Sequence, residues 1–336
     1  MVPGGLMTVR WGILGAASIA LNHVIPALRS ARGADVAAVA SRTAAGLAKL
    51  VDVAGRVRAH ASYELLLDDA DVDAVYIPLP NSEHAAWSVR ALDAEKSVLV
   101  EKPGVRSPQE ASELCRRAEA ADRLLAEAYM FEYHDQWRYA QDWLSSALAD
   151  GEPASLRARV GFTLSRSSPK SLLRLDPHLS GGALLDVGCY PMRAATSLFG
   201  LAVGGGYESY RAPEGVDVWT AGWLSFPGKR RAVLDADFLF PWTDSPLELR
   251  SRSGSLTLFD AFNPGDAAPL VLHSHPRGRE RITIAPVPMH QRMVEDFSAH
   301  VVGGARSETA RRHRELLRTT AANMHILIQN PTCVVR

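Results

Sequence analysis

Short apolar runs alternate with helical stretches over the first 130 residues, and that alternation leaves few folds open to the chain. The runs are 9–15 (VRWGILG), 34–40 (ADVAAVA), 57–59 (VRA), 74–77 (AVYI), 97–100 (SVLV) and 124–127 (LLAE). Helical stretches separate them: Ser18 to about Arg32, Thr43–Ala54, Ser62–Leu67, Ser82–Ala94 and Ser107 to about Ala121. The last opens on a capping-box pattern, with Glu110 three residues after Ser107. Strands of this length separated by helices predict βαβ units and a mostly parallel sheet, because parallel neighbours need a crossover.

The pattern changes after about residue 150. Residues 155–164 alternate weakly, 165–176 are polar and loop-like, and 181–185 and 192–199 have helical character. From Val216 to Ala285 strands are separated by turn signals such as Pro227-Gly228-Lys229, Ser253-Gly254 and Asn263-Pro264-Gly265, which predicts a largely antiparallel sheet. Helices near Met289–Val301 and Ser307–Ile328 finish the chain. The expected organisation is a nucleotide-binding α/β domain over 8–130 and an α+β domain over 131–336. Helix Tyr139–Ala149 joins the halves, and a cleft lies between them.

Charge excludes some partners. Lys+Arg and Asp+Glu both number 37, with no long block of either sign. A nucleic-acid or anionic-membrane surface needs clustered positive charge, so neither partner is expected. No stretch reaches the ~18 unbroken apolar residues of a membrane span. The opening MVPGGLM has no basic segment followed by an apolar core, so no secretory signal is expected; residues 1–7 are expected to fray, with Met7 as an alternative start. Cys115, Cys189 and Cys333 are too widely spaced for a metal or disulfide framework, which fits reduced thiols in a cytoplasmic protein.

The first strand runs into Gly15-Ala16-Ala17-Ser18-Ile19-Ala20, a G-x-A-x-x-A turn that opens a helix. Gly15 supplies the tight turn, and Ala17 stands where glycine is preferred for close approach to a pyrophosphate. The amides of such a helix start face an anion. An ordinary strand-to-helix turn is the alternative. The second strand ends on Ser41-Arg42-Thr43, with no carboxylate. An acidic residue there binds the ribose 2′-hydroxyl of NAD, whereas a guanidinium beside hydroxyls suits a 2′-phosphate. This predicts NADP(H) rather than NAD(H), against a solvated arginine at a helix start. Glu101-Lys102-Pro103 ends the run 97–100 and places a lysine where open α/β sheets bind ligands. Lysine shifts its pKa readily on burial and then serves as a proton donor near neutrality; a solvated loop lysine is the bland alternative.

Together these residues resemble the Gfo/Idh/MocA oxidoreductases. The resemblance spans about Val9 to Val302 and rests on RWGILGAASIA (10–20), VASR (39–42), DAVYIPLPNSEH (73–84), VLVEKP (98–103), EAYMFEYH (127–134) and SGGALLDVGCYP (180–191). It implies a Rossmann domain followed by an α+β domain with a large open-faced, mostly antiparallel sheet, often used for oligomerisation. It implies Lys102 as the catalytic lysine, preceding a cis-proline at Pro103. It also implies that Pro78, Leu79, Asn81, His84 and Glu101 line the cofactor, although His84 equally fits a hydrogen-bonded structural histidine.

Many members carry Asp-x-Gly-x-His in the second domain; here the stretch is Asp186-Val187-Gly188-Cys189-Tyr190. That variant resembles the dihydrodiol dehydrogenase, aldose dehydrogenase and deoxysugar ketoreductase branches. Glu132 departs from the arginine frequent in the aldose dehydrogenases. A nearby ammonium favours a phenolate, so Lys102 and Tyr190 make sense as a pair, either with Tyr190 exchanging the proton and Lys102 tuning it, or with Lys102 as direct donor and Tyr190 as a hydrogen-bonding partner. Asp186 orients the pair or binds a substrate hydroxyl.

Arg174 and His178, before Gly181-Gly182, are expected to face the cleft; Tyr129, Tyr133 and His134 lie near the domain junction. Substrate contacts are therefore expected from Tyr129, Arg174, His178 and Tyr190. His273 and His275 have no third ligand, so no metal site is expected. The expected activity is NADP(H)-dependent oxidoreduction of a secondary alcohol or ketone of a carbohydrate or sugar nucleotide. The rivals are a trans-dihydrodiol dehydrogenase and a catalytically silent nucleotide-sensing regulator. A sheet with one uncovered face predicts a homodimer or homotetramer, with Val218, Leu224, Phe226 and Phe238 as its apolar surface.

Overall fold

The computed structural model describes residues 8–148, 152–165, 167–265 and 270–335. Residues 1–7, expected to fray, lie outside these, as does Ala149 at the end of the expected joining helix. The chain forms two compact units: residues up to Ala128 with Pro288–Arg318, and Tyr129–Val287 with the chain from Thr319 onward.

The first unit holds strands β1 (Val9–Leu14), β2 (Ala34–Ala40), β3 (Arg58–His60), β4 (Ala74–Ile77), β5 (Ser97–Val100) and β6 (Leu125–Glu127) in one sheet, order β3-β2-β1-β4-β5-β6. Every pairing is parallel. Central strands β4 and β5 are buried at all positions, which is why they read as unbroken apolar runs rather than alternating ones. Helices α1 (Ile25–Ser30), α2 (Ala44–Ala54), α3 (Tyr63–Leu67), α4 (Asn81–Asp93) and α5 (Pro108–Ala121) make the crossovers.

Two local features depart from simple patterns. Residues Ala20–Val24 before α1 form a π-helical turn, with the Ile25 amide donating to Ala20 O. Pro26, in the first turn of α1, lacks an amide hydrogen and crowds the carbonyl four residues back, and the wider turn relieves that clash. At α5, Ser107 Oγ accepts from the Glu110 amide at 3.2 Å, but the Glu110 carboxylate reaches back to the Arg106 amide at 2.7 Å instead of the cap residue.

The division into units differs from a single cut after residue 130. The Met289–Val301 helix packs on the first unit. Trp11 Nε1 donates to Ser298 Oγ at 3.1 Å, and its ring lies 5.1 Å from that of Phe297. Further along, Ala305 N donates to Asp122 Oδ1 at 3.1 Å and Arg314 Nε to Glu119 at 3.0 Å. These partners are 183 to 287 residues apart in sequence, so local periodicity carries no trace of them.

The second unit starts with α6 (Asp135–Ala147), β7 (Ser155–Thr163), α7 (Pro169–Leu175), α8 (Ala183–Asp186) and α9 (Cys189–Phe199). Eight strands follow: β8 (Gly204–Arg211), β9 (Asp217–Phe226), β10 (Arg230–Asp237), β11 (Leu239–Asp244), β12 (Leu247–Ser251), β13 (Gly254–Leu258), β14 (Leu270–His275) and β15 (Gly278–Thr283). With β16 (Pro331–Val335) they form a ten-stranded sheet, order β15-β14-β13-β12-β7-β10-β9-β8-β16, with β11 paired to β7. Among the described strand pairings of this sheet, only β10/β7 and β16/β8 are parallel. Helix α7 occupies part of the stretch expected to be loop.

The face assignment needs correction. Val218, Leu224, Phe226 and Phe238 are buried in the unit's own core, at 4%, 0%, 4% and 1% exposure. The opposite face of β9, shifted by one residue, carries Trp219 and Trp223, and Trp223 pairs in register with Val233. Trp223 and Val233 are 46% and 44% exposed. A period of two means that a shift of one residue exchanges the faces. Among the described residues no helix is long and apolar enough to cross a membrane.

Candidate active site

The first sheet reverses its order between β1 and β4, and the loops after those two strands flank this switch point, where open α/β sheets bind dinucleotides. Gly15 follows β1 with φ +110°, and its amide donates to Ala40 O at 2.9 Å. A Cβ there would lie 2.9 Å from Leu79 Cδ2, so glycine alone keeps the turn close against the loop after β4. Ala16 and Ala17 are half-buried, Ser18 is exposed where the helix opens, and Ile19 is half-buried. Small side chains and a helix start at Ser18 fit an anionic pyrophosphate.

Ser41 and Arg42 follow β2. Ser41 is buried and its Oγ accepts from the Thr43 amide at 3.3 Å, while Thr43 caps α2. Arg42 is exposed and held in a fork: its two terminal nitrogens donate to Glu83 at 3.0 and 2.9 Å. Its guanidinium lies over the Tyr63 ring at 5.2 Å. Glu83 and Tyr63 were not among the residues singled out by sequence. Glu83 lies four residues before Trp87 on α4, and that spacing is the only local sign of their contact.

Pro78 and Leu79 are buried after β4, and Asn81 begins α4. His84 is 1% exposed, with Nδ1 2.8 Å from Pro103 O and Nε2 2.7 Å from Leu79 O. It therefore ties the loop after β4 to the loop after β5. Burial holds its pKa below the ordinary imidazole value, against the opposing pull of the two carbonyls. Glu101 Oε1 accepts from the buried Tyr76 hydroxyl at 2.6 Å, and Lys102 follows just past β5 with a cis bond to Pro103. Glu127 at the end of β6 accepts from the Gly104 amide at 2.9 Å, bracing the same loop.

In the second unit Tyr190 stands in the first turn of α9, half-buried among aromatic rings. Tyr129 lies edge-on to it at 5.9 Å, Phe131 at 6.2 Å, and Phe262 is tilted at 5.8 Å. Its hydroxyl is 3.9 Å from Met130 Sδ. Tyr129 is fully buried, with the Arg193 guanidinium 4.8 Å from its ring centre, so it supports Tyr190 rather than presenting an open surface. Glu132 accepts from Arg193 at 3.0 and 3.1 Å and from Ser197 Oγ at 2.7 Å.

Asp186 ends α8 and accepts from Arg174 Nε at 2.5 Å, so the structure brings these two expected site residues together. The start of α8 is anchored by Asp217, which accepts from the Leu184 amide at 2.7 Å. Gly182, with φ +118°, admits that carboxylate, since a Cβ would meet Asp217 Oδ1 at 2.3 Å. His178 is exposed on a 3₁₀ turn. His134 caps α6, and His273 accepts from the Trp143 indole at 3.0 Å. Among the described residues no three His, Cys, Asp or Glu side chains converge as metal ligands.

A family model of oxidoreductases with an NAD-binding Rossmann fold matches residues 9–129, and the model of the Gfo/Idh/MocA C-terminal domain matches residues 137–257. D-xylose 1-dehydrogenase (NADP(+)) 2 from Haloferax volcanii is 34% identical over 311 residues, covering 91% of this chain and 92% of the relative. The chain belongs to the Gfo/Idh/MocA oxidoreductases. A second relative of this family member, dTDP-3,4-didehydro-2,6-dideoxy-alpha-D-glucose 3-reductase from Streptomyces violaceoruber, is 35% identical over 81% of this chain and 79% of its own length. A 3-ketoreductase from Actinomadura kijaniata, crystallised with NADP and TDP-benzene, superposes with a TM-score of 0.87 at 28% identity, covering 98% of this chain and 99% of that one. This Gfo/Idh/MocA protein is accordingly an NAD(P)-dependent oxidoreductase acting on a CH–OH/C=O pair.

Proposed function

We propose that this oxidoreductase uses NADP(H) and interconverts a ketone and a secondary alcohol on a carbohydrate, with a sugar nucleotide as the favoured substrate class. The observation that carries the reading is Lys102 just past β5, on the same edge of the sheet as the Gly15 turn. Arg42 after β2, with no carboxylate from its own loop, supports NADP(H) over NAD(H). The dTDP-sugar reductase and the xylose dehydrogenase among the relatives support the substrate class.

When bound, the nicotinamide supplies or receives the hydride. The chain's own residues do the rest. The Gly15 turn and the helix start at Ser18 receive the pyrophosphate. Glu101 and His84 hold the loop that presents Lys102. Tyr190 exchanges the proton with the substrate oxygen, and Lys102 is the second residue proposed to handle that proton. Asp186, fixed by Arg174, contacts a substrate hydroxyl. The buried thiols Cys115 and Cys189 suit a cytoplasmic setting.

The test is a turnover screen with NADPH and NADH against keto-deoxysugar nucleotides, free aldoses and cyclic trans-dihydrodiols. Fastest turnover with NADPH and a keto-sugar nucleotide is expected. Fastest turnover of a trans-dihydrodiol would overturn the substrate class, and NADPH binding without turnover of any of them would favour a silent regulator.

A further inference from the structure

We infer that Glu83 is a specificity-determining residue for the adenosine end of the cofactor, limiting the preference for a 2′-phosphate that Arg42 creates. The inference rests on the assignment of Arg42 to that phosphate. Glu83 lies 41 residues beyond Arg42, in the first turn of α4, yet both of its oxygens accept from the Arg42 fork.

The pair is built rather than incidental. Trp87 Nε1 donates to Glu83 Oε2 at 3.2 Å, fixing the carboxylate from its own helix. Tyr63 lies under the Arg42 guanidinium and meets the Trp87 ring edge-on at 4.9 Å. Arg90 lies 4.5 Å from the Trp87 ring and pairs with Glu64 at 2.9 Å, so its charge is engaged outside the fork.

A 2′-phosphate reaching Arg42 meets this fixed carboxylate. It must draw the guanidinium away from a two-point partner or share it, and in either arrangement two anions lie close together. A ribose 2′-hydroxyl meets neither cost and finds in Glu83 an acceptor. The carboxylate absent from the end of β2 is thus supplied by α4, and one pair of residues reads the 2′ position with opposite signs.

Calorimetric titration of adenosine 2′,5′-bisphosphate and of AMP into the full-length protein tests this without turnover. Glu83→Gln keeps the shape and a hydrogen-bond acceptor but removes the charge. It is expected to raise affinity for the bisphosphate by about three- to tenfold, the scale of one partly exposed charge interaction, and to leave AMP within about twofold. Unchanged or weakened bisphosphate binding in a Glu83→Gln protein that melts like the parent would overturn the inference, weakening meaning that Glu83 orients Arg42 for the phosphate. Arg42→Ala in the same titration separates the two claims. If it leaves the parent's bisphosphate-to-AMP ratio unchanged, the assignment of Arg42 fails first. If it abolishes the ratio while Glu83→Gln does nothing, only the role of Glu83 fails. Glu83→Ala provides a second uncharged variant should the glutamine protein fold poorly.

Discussion

The Arg193 guanidinium, 1% exposed, grips the Glu132 carboxylate one helical turn beyond Tyr190. Glu132 stands where aldose dehydrogenases frequently have arginine, and here its charge is spent on anchoring α9 beneath the tyrosine. Removing one partner of a buried pair leaves an uncompensated charge and typically costs about 3–5 kcal/mol. Glu132→Ala should therefore lower the urea midpoint sharply, whereas Glu132→Gln, which retains an acceptor, should lose less. Equal stability of parent and Glu132→Ala in denaturant titrations would remove the anchor from the account.

His84 makes a different prediction. Its two ring nitrogens lie within hydrogen-bond distance of main-chain carbonyls on the two loops that carry Leu79 and Pro103, so under the proposed mechanism it acts on the chemistry through Lys102. His84→Ala should lower kcat by about tenfold or more with a smaller change in KM for NADPH, since a misplaced reacting group costs rate. His84→Asn, which keeps one donor, should recover part of it. Matching losses in kcat and in thermal stability, with no recovery by Asn, would reduce the residue to a packing role.

Stability should depend on pH through His290. Burial, helped by the neighbouring His23, lowers its pKa from 6.5 to about 4. Between those values the unfolded chain binds the extra proton, so the contribution is complete above pH 6.5 and drains away as pH falls toward about 4. The ceiling is about 3 kcal/mol. Urea titrations at neutral pH and near about pH 4.5 should show the parent losing more stability than His290→Gln. An equal loss in both proteins would place the titrating group elsewhere.

The second sheet should drive assembly. Trp223, Val233 and Tyr210 leave exposed apolar surface on the face away from the unit's core. Patches of this kind mark association sites, and a homodimer or homotetramer is expected by light scattering at about 20 µM. Trp223→Glu should shift the protein toward monomer without unfolding it. A monomeric parent under those conditions would contradict the expectation.

The first sheet was legible in sequence because β2, β4 and β5 fall on apolar runs whose ends match the strand ends, and because Gly15 and Lys102 follow strands directly. Parallel strands buried on both faces leave that strong trace. The second sheet was less so. β8 reads GGGYESYR, with no apolar alternation to announce it, and β9 has side chains large and apolar on both faces, so its buried face could not be chosen from periodicity. Of the site, the glycine turn, the arginine and the lysine were visible as local motifs. Glu83, Tyr63 and Arg193 were not, because their roles come from partners 21 to 61 residues away that only folding brings near.

The central claim is that Lys102 and Tyr190 handle one proton as a unit. Turnover and NADPH affinity of Tyr190→Phe, Lys102→Ala and the double variant test it most directly. General acid–base assistance is worth about a hundred- to ten-thousand-fold, so Tyr190→Phe should lose that much turnover while NADPH binds as before. The lysine variant should lose at least as much, and the double variant should be little worse than the poorer single, as expected of coupled groups. Turnover of Tyr190→Phe within about threefold of the parent would contradict the account and leave the tyrosine a packing residue.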